Sequence, residues 1–200
     1  MIWSSAVKGA MMNLKLANII KDEEDLVWES PFRDIFFHIS RVENTIGIYK
    51  ETWGRYIITI DVKNNLGTTI TQIRFSELDA IRILDSMTAF TEWGGGSGES
   101  MYIQINPNTT QLYDHIFYLQ RLNLPEYPDD QIIRDIKFDV NSYSKMHGQM
   151  VPLTTILLCD EELNDLVFKI FFVALLDVQM DPDNEEIISQ LAERIVVGEG

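Results

Sequence analysis

A run of four glycines and one serine, Gly94-Gly95-Gly96-Ser97-Gly98, interrupts the chain near its middle. Neither a helix nor a strand tolerates such a run, because each glycine loses much backbone entropy on ordering and adds no side chain to a core. The run is either a native hinge or an engineered linker, and in both cases it divides the 200 residues into comparable halves. The fold must therefore be assembled from one piece on each side of it.

The composition is that of a folded, acidic protein. Hydrophobic residues make up 46% of the chain and charged residues 24%, which is ordinary for a globular domain and excludes intrinsic disorder. The net charge of −15 excludes a basic-arm protein that neutralises duplex DNA. The single cysteine, Cys159, excludes a disulfide framework and a multi-cysteine metal site, and it predicts a reduced, buried thiol.

No segment has the pattern of a membrane span or a targeting signal. The most apolar stretch, Leu163 to Val178, is interrupted by three charged residues and is shorter than the roughly 20 residues that a transmembrane helix needs. The N-terminal residues lack the apolar core and cleavage site of a signal peptide. We therefore expect a protein that is not secreted and has no membrane partner, located in the cytoplasm, the nucleoid or the nucleus.

The first half of the chain has the pattern of several strands followed by one helix. Segments with alternating apolar residues or dense β-branched residues predict strands. These segments are residues 34–42, 45–51, 55–62 and 68–75. Asn64-Asn65-Leu66-Gly67 predicts a hairpin turn, since these residues tolerate positive φ angles. Ser76, with Asp79 three residues later, is the expected N-cap of a helix over residues 76–93.

The second half repeats this scheme loosely. Its predicted strands are residues 101–105, 115–122, 132–140 and 154–159, and its predicted helix is residues 160–176. When Thr68-Thr69-Ile70 is aligned with Thr154-Thr155-Ile156, the two helix starts agree to within one residue. The pattern favours an internal duplication, although a similarity this short also arises by chance. The second helix is apolar nearly all round, which predicts burial on several sides.

These elements predict an α+β fold in which a four-stranded antiparallel sheet plus a helix is duplicated into a pseudo-dimer. The expected parts are residues 1–93, a linker at 94–100, a second strand-rich unit at 101–180, and an acidic amphipathic helix or tail at 181–200. Residues 177–200 contain seven acids and one base. This segment is either a helix docked on the body through its apolar side or a tail that binds a protein partner.

The sequence contains none of the common catalytic signatures. There is no phosphate-binding Gly-x-x-x-x-Gly-Lys loop and no Gly-x-Ser-x-Gly elbow. The three histidines lack a spacing suited to a metal, and the acids at 22–25 and 129–130 lack the spacing of a calcium loop. We therefore expect no enzyme activity, no cofactor and no metal.

One segment departs from the acidic total. Residues 41–76 contain five basic and three acidic side chains, a local charge of +2, with Tyr49, Trp53 and Tyr56 among the cations. Cations that follow a backbone, together with rings that stack on bases, are what sequence-tolerant binding of single strands requires. The alternative is that Tyr49 and Tyr56 pack within a sheet and that the cations keep it soluble.

Residues 44–87 resemble the positive cofactor four family, and more distantly the Whirly proteins. The resemblance rests on Ile46-Gly47-Ile48-Tyr49-Lys50, the turn Trp53-Gly54-Arg55, the strand residues 56–62 and the strand-to-helix junction at residues 73–78. It implies four antiparallel strands and a helix that bind single-stranded DNA as dimers or higher assemblies. In that family a turn with an aromatic residue, a glycine and basic residues touches the DNA. The first basic residue of that turn is absent here, and so is the Lys-Gly-Lys-Ala-type motif of the Whirly proteins.

The predicted function is therefore non-enzymatic binding of single-stranded DNA or RNA, as an accessory factor in replication, recombination or transcription. The predicted phosphate contacts are Lys50, Arg55, Lys63 and Arg74, and the predicted stacking residues are Trp53 and Tyr56. Weaker candidates in the second half are Arg134, Lys137, Tyr143 and Lys145. The alternative is an acidic protein-interaction module, such as a viral or phage-type regulator that mimics DNA. Self-association into a homo-oligomer is also expected from the resemblance.

Overall fold

The computed structural model describes residues 23–29, 34–44, 56–92, 98–105, 112–123, 133–175 and 189–194, with only the backbone for 23–29 and Asp34. The first unit contains strands β1 (Glu23–Glu29), β2 (Asp34–Glu43), β3 (Tyr56–Asn64) and β4 (Thr69–Ser76), then helix α1 (Glu77–Glu92). The second unit contains β5 (Ser100–Ile105), β6 (Tyr113–Arg121), β7 (Ile136–Ser144) and β8 (Gln149–Leu158), then helix α2 (Asp160–Leu175). No helix of the described chain is long and apolar enough to cross a membrane.

Each unit is one antiparallel sheet whose strands follow the order of the sequence. The first sheet has the order β1-β2-β3-β4 and the second β5-β6-β7-β8. A helix follows the last strand of each sheet. The predicted α+β class is confirmed.

The turn between β3 and β4 forms as its residues require. The Asn64 side chain accepts hydrogen bonds from the backbone N–H groups of Leu66 and Thr68, both at 3.0 Å. Gly67 has φ 74°, a left-handed conformation that costs little without a Cβ. The predicted hairpin turn is confirmed.

The two units also share an irregularity at the same place. The third strand of each sheet contains Asp-Val followed by a register shift, after Val62 in β3 and after Val140 in β7. The preceding aspartate accepts a hydrogen bond from the neighbouring strand in both units: Gln72 donates to Asp61 at 2.7 Å, and Thr155 donates to Asp139 at 2.6 Å. This equivalence supports a duplication.

The shared irregularity also corrects the alignment of the two halves. Asp61 lies opposite Gln72 and Asp139 lies opposite Thr155, so Thr155 corresponds to Gln72. The predicted alignment placed Thr69 there, three residues away, because it matched letters without knowing which residue paired with the aspartate.

The helices begin with different caps. In the first unit the Asp79 N–H donates to the Ser76 hydroxyl at 3.1 Å, and that hydroxyl donates to the Asp79 carboxylate at 3.0 Å. In the second unit the Cys159 backbone N–H donates to the Glu162 carboxylate at 3.0 Å. Both arrangements satisfy backbone donors that a helix start leaves free.

The inner faces of both sheets and the two helices share one hydrophobic core. Alternate residues of the strands point into it, and the rings of Phe37 and Phe138 lie 6.1 Å apart across the two units. The Thr71 hydroxyl and the His115 ring also meet across them, at 3.0 Å between Oγ1 and Nε2. The inner-face residues buried in the strands include Ile35, Phe37, Ile39, Ile58, Ile60, Val62, Ile73, Phe75, Ile103, Phe117, Leu119, Phe138 and Ile156.

Three expectations about the elements are wrong. Strand β1 was not predicted, because four of its seven residues are acidic and this masks the alternation. Strand β7 begins at Ile136 and not at residue 132. The helical spacing of Leu78, Ile81, Leu84 and Met87 predicts one buried stripe on α1, but Leu78 is 57% exposed while the other three are buried. The predicted strand at residues 45–51 lies outside the described residues.

The described part of the C-terminal region, residues 189–194, is helical and docked. Leu191 and Ala192 are buried, and the Arg194 guanidinium pairs with Asp85 at 2.6 Å and Glu92 at 2.8 Å on α1. The Glu92 partner raises the pKa of Arg194 above its ordinary value, and the Arg194 hydrogen bond lowers the pKa of Glu92. The docked alternative is therefore confirmed for these six residues.

Candidate nucleic-acid interface

The predicted site residues do not share one surface in the described structure. Lys50, Trp53 and Arg55 lie outside the described residues. Tyr56 lies opposite Glu43 and on the same side of β3 as the buried Ile58, so it belongs to the inner face.

Two of the predicted phosphate contacts lie within the described residues, and both are on the opposite side of the sheet from Tyr56. Lys63 and Arg74 occupy outer-face positions of the first sheet, and Arg74 is exposed. The Tyr56 ring instead lies 4.8 Å from the Arg41 guanidinium. The structure therefore places Tyr56 on the opposite side of the first sheet from Lys63 and Arg74.

The outer face of the first sheet is polar. His38, Asp61 and Gln72 form one row across β2, β3 and β4. The next row contains Ser40, Thr59 and Arg74. The only aromatic side chain among the described outer-face residues of this sheet, apart from the His38 ring, is Phe36, which is half-buried.

The outer face of the second sheet carries two tyrosines. Tyr102 on β5 and Tyr118 on β6 are register partners, and their rings lie 4.5 Å apart with 32° between the planes. Tyr102 is 60% exposed and Tyr118 is half-buried. The alternation of the strand directs both side chains away from the core, so the ring stack faces solvent.

A lysine stands beside this ring stack. The Lys137 ammonium on β7 lies 5.8 Å from the centre of the Tyr118 ring and 2.8 Å from the buried Asp139 carboxylate. Thr155 also donates to that carboxylate, at 2.6 Å. Lys137 is therefore held in place next to the rings. We name the surface formed by Tyr102, Tyr118 and Lys137 the tyrosine face.

The other candidates in the second half are engaged elsewhere. The Arg134 guanidinium donates three hydrogen bonds to Glu162 at 2.8–3.0 Å, at the start of α2. The Lys145 ammonium pairs with the buried Asp114 at 2.9 Å. Tyr143 lies opposite both Asp114 and Met150 in the sheet. Of the four, Lys137 alone lies beside the stacked rings.

Neither Tyr102 nor Tyr118 is among the site residues predicted from the sequence. Each occupies an outward position of an alternating strand, next in the chain to a buried residue, Ile103 or Phe117. Their contact depends on the pairing of β5 with β6, and a linear sequence does not state this register.

The single cysteine is a buried thiol. Burial raises the pKa of the Cys159 thiol to about 11, so it stays protonated and weakly nucleophilic at neutral pH. Within the described ranges, no group of three His, Cys, Asp or Glu side chains is placed to hold a metal ion. The arrangement at the tyrosine face is suited to stacking and charge contact.

Comparisons with known proteins find similarity among solved structures only. No family model matches the sequence, and no curated protein matches it. Among solved structures, that of the plant transcriptional regulator PBF-2 is similar, with a TM-score of 0.41 and 11% identity over 76% of this chain and 87% of that chain. The resemblance of residues 44–87 to the positive cofactor four family stays a prediction.

Proposed function

We propose that the protein binds single-stranded nucleic acid through the tyrosine face, without catalysis. The observation that carries this proposal is the solvent-facing stack of Tyr102 and Tyr118 with the Lys137 ammonium beside it. Stacking of a base on an aromatic ring contributes about 1–3 kcal/mol and tolerates any base, since every base has a π face. Such binding favours single strands, because the bases of a duplex are already stacked on one another.

The acidic total determines where the affinity must come from. The chain carries a charge of −15 and repels phosphates at long range, so ring contacts must supply most of the affinity. We therefore expect a weaker salt dependence than a basic-groove protein shows, since few counterions are released.

The experiment compares a variant that lacks both Tyr102 and Tyr118 with a matched control. Tyr102→Ala together with Tyr118→Ala removes both rings, and Tyr113→Ala removes one 57% exposed tyrosine from the inner-face side of the same sheet. Binding to a labelled single-stranded oligonucleotide and to the corresponding duplex is measured at low and physiological salt. We expect the double variant to lose at least tenfold in affinity for single strands and Tyr113→Ala to bind like the parent. Equal binding by all three proteins would remove the tyrosine face from the function.

The net charge favours a second candidate, an interaction module that binds a basic protein. Its exposed acidic side chains among the described residues include Glu99, Glu161 and Asp165. The same titration separates the two candidates. A protein that binds neither single strands nor duplex at low salt is better explained by the acidic module.

A further inference from the structure

The order of groups in the tyrosine stack determines which ring surface a ligand can reach. Strand β6 lies between β5 and β7, so Tyr102 approaches the Tyr118 ring from one side and Lys137 from the other. The ring separation of 4.5 Å leaves no room for a base between the tyrosines, because one inserted ring needs about 7 Å. Both faces of Tyr118 are therefore covered.

The remaining surface is the far side of Tyr102. Strand β5 is the edge strand of its sheet within the described chain, so no described strand lies beyond it. Tyr102 keeps 60% of its surface exposed at this edge. Lys137, Tyr118 and Tyr102 lie side by side from β7 to β5, and a base can stack on the free side of the Tyr102 ring.

A guanidinium lies at the same edge. Arg82, from α1, donates a hydrogen bond to the backbone carbonyl oxygen of Gln104, two residues beyond Tyr102 on β5. Two residues of a strand span about 6.6 Å, which is comparable to the distance between a base and its own phosphate. The same Arg82 nitrogen also donates to the Asp79 carboxylate at 3.0 Å. A guanidinium has five N–H donors, so others remain for an anion.

We infer that this edge of the second sheet binds a single unpaired nucleotide end-on, with its base on Tyr102 and its phosphate at Arg82. The inference rests on the proposed function and narrows it to one base for each chain. Neighbouring bases of a longer strand add little, because the covered faces of Tyr118 offer them no second stacking position. The ligand class is therefore a single unpaired base, such as the terminal base of a strand or a base whose neighbouring nucleotides are abasic.

The test uses three strands of equal length: one with all its bases, one fully abasic, and one abasic except for a single central base. We expect the one-base strand to bind within about threefold of the complete strand. The fully abasic strand should bind about 5-fold to 150-fold more weakly, the range that one stacked base contributes.

Variants assign the two contacts. Tyr102→Ala should bind the one-base and abasic strands equally, whereas Tyr102→Phe, which keeps the ring, should still distinguish them. Arg82→Gln should weaken all three strands by the same factor and lower the salt slope by about 0.7, the value of one single-strand phosphate contact. Tyr113→Ala should behave like the parent, and unchanged circular dichroism confirms that each variant folds.

The outcomes separate the two proposals. If the complete strand binds but the one-base strand binds no better than the abasic strand, the end-on site is overturned and single-strand binding stands. If affinity rises steadily as bases are restored one by one, the ligand is a run of bases, and the end-on site is again overturned. If the complete strand does not bind at all, the proposed function itself fails.

Discussion

The two units repeat one backbone plan and differ on the surface that faces solvent. Both have the same strand order, the same shift after Asp-Val and a helix capped at the same point. Yet the position that holds Tyr118 in the second sheet holds His38 in the first, since each lies opposite the aspartate that precedes the shift. A duplicated fold thus keeps its core requirements and leaves its outer faces free to diverge.

The difference extends to the charges on each face. The first face carries Lys63 and Arg74, whereas the second carries Lys137, which is already paired with Asp139. The position of Arg74 corresponds to Leu157 in the second sheet, two residues beyond Gln72 and Thr155 respectively. Among these three cations, the exposed Arg74 therefore lies on the sheet that does not carry the tyrosine rings.

A cluster of charged side chains lies near the helix start of the second unit. In the second unit the Arg121 guanidinium pairs with Asp160 at 2.7 Å and Asp135 at 3.1 Å, and it lies 5.7 Å from the Phe90 ring of the first unit. The hydrogen bond to Asp160 raises the pKa of Arg121. This cluster joins β6, α1, α2 and the end of the β6–β7 connection. This charged cluster therefore links the second unit to α1 of the first.

The largest expected effect comes from breaking this cluster. Arg121→Met leaves Asp135 and Asp160 without their cation, and breaking a fully buried pair costs about 3–5 kcal/mol. Asp160 is 54% exposed, so water compensates in part and we expect a loss of about 2 kcal/mol in the free energy of unfolding. Urea denaturation measures it.

Arg74→Met is the matched control on the first sheet. Its side chain is exposed, and we expect a change within about 0.5 kcal/mol. Equal losses for the two variants would show that the loss at Arg121 does not come from breaking the charged cluster.

A smaller effect tests whether the first face takes part in binding. Lys63→Gln with Arg74→Gln removes two outer-face cations without removing a ring. We expect about a twofold to threefold loss of single-strand affinity at low salt, disappearing near 0.5 M salt as exposed charges are screened. The same labelled-strand titration measures it.

The control for this variant makes the same change of net charge elsewhere. Lys137 and Arg82 belong to the proposed site and Arg194 docks the C-terminal helix, so Lys169→Glu is used, which lowers the net charge by the same two units, and we expect no loss beyond that caused by the overall charge. A loss of tenfold or more in the Lys63 and Arg74 variant would place the main site on the first sheet.

The sequence was sufficient for most of the fold because the pattern within each element was strong. Alternating residues such as Phe37 and Ile60 predicted the inner faces, and Ser76 marked the start of α1. Strand β1 was not predicted, because a segment so rich in acidic residues has the composition of a solvated loop. Tertiary pairing with β2 places it in the sheet in spite of that composition.

The candidate site was less predictable, for a physical reason. Charges and rings that are neighbours in the sequence, as in residues 41–76, need not share a face of a sheet, because alternate residues point to opposite sides. Tyr102 and Tyr118 are sixteen residues apart and meet only through strand pairing. The clustering of charges and rings in the sequence therefore predicted a site on the first sheet. The ring pair on the second sheet results from the register between β5 and β6.

The smallest effect concerns the contact between the units. His115 occupies the position that Ile35 holds in the first sheet, two residues before Phe117 and Phe37 respectively, and both phenylalanines lie opposite the valine before the shift. Burial lowers the pKa of His115 below its usual range, although the nearby Asp114 carboxylate opposes this shift. The folded protein thus disfavours the protonated ring, while the unfolded chain binds the proton at about pH 6.5.

The resulting pH dependence has a definite sign. The contribution of His115 to stability is complete above about pH 6.5 and is lost as the pH falls through the lowered folded value, because the unfolded state then binds more protons. His115→Gln keeps a side chain able to bond to the Thr71 hydroxyl and removes the titration. We expect the variant to lose less stability than the parent between pH 7.5 and 5.5, measured by urea denaturation. His147→Gln changes an exposed histidine and should follow the parent; parallel curves for the parent and both variants would show that burial of His115 does not carry this linkage.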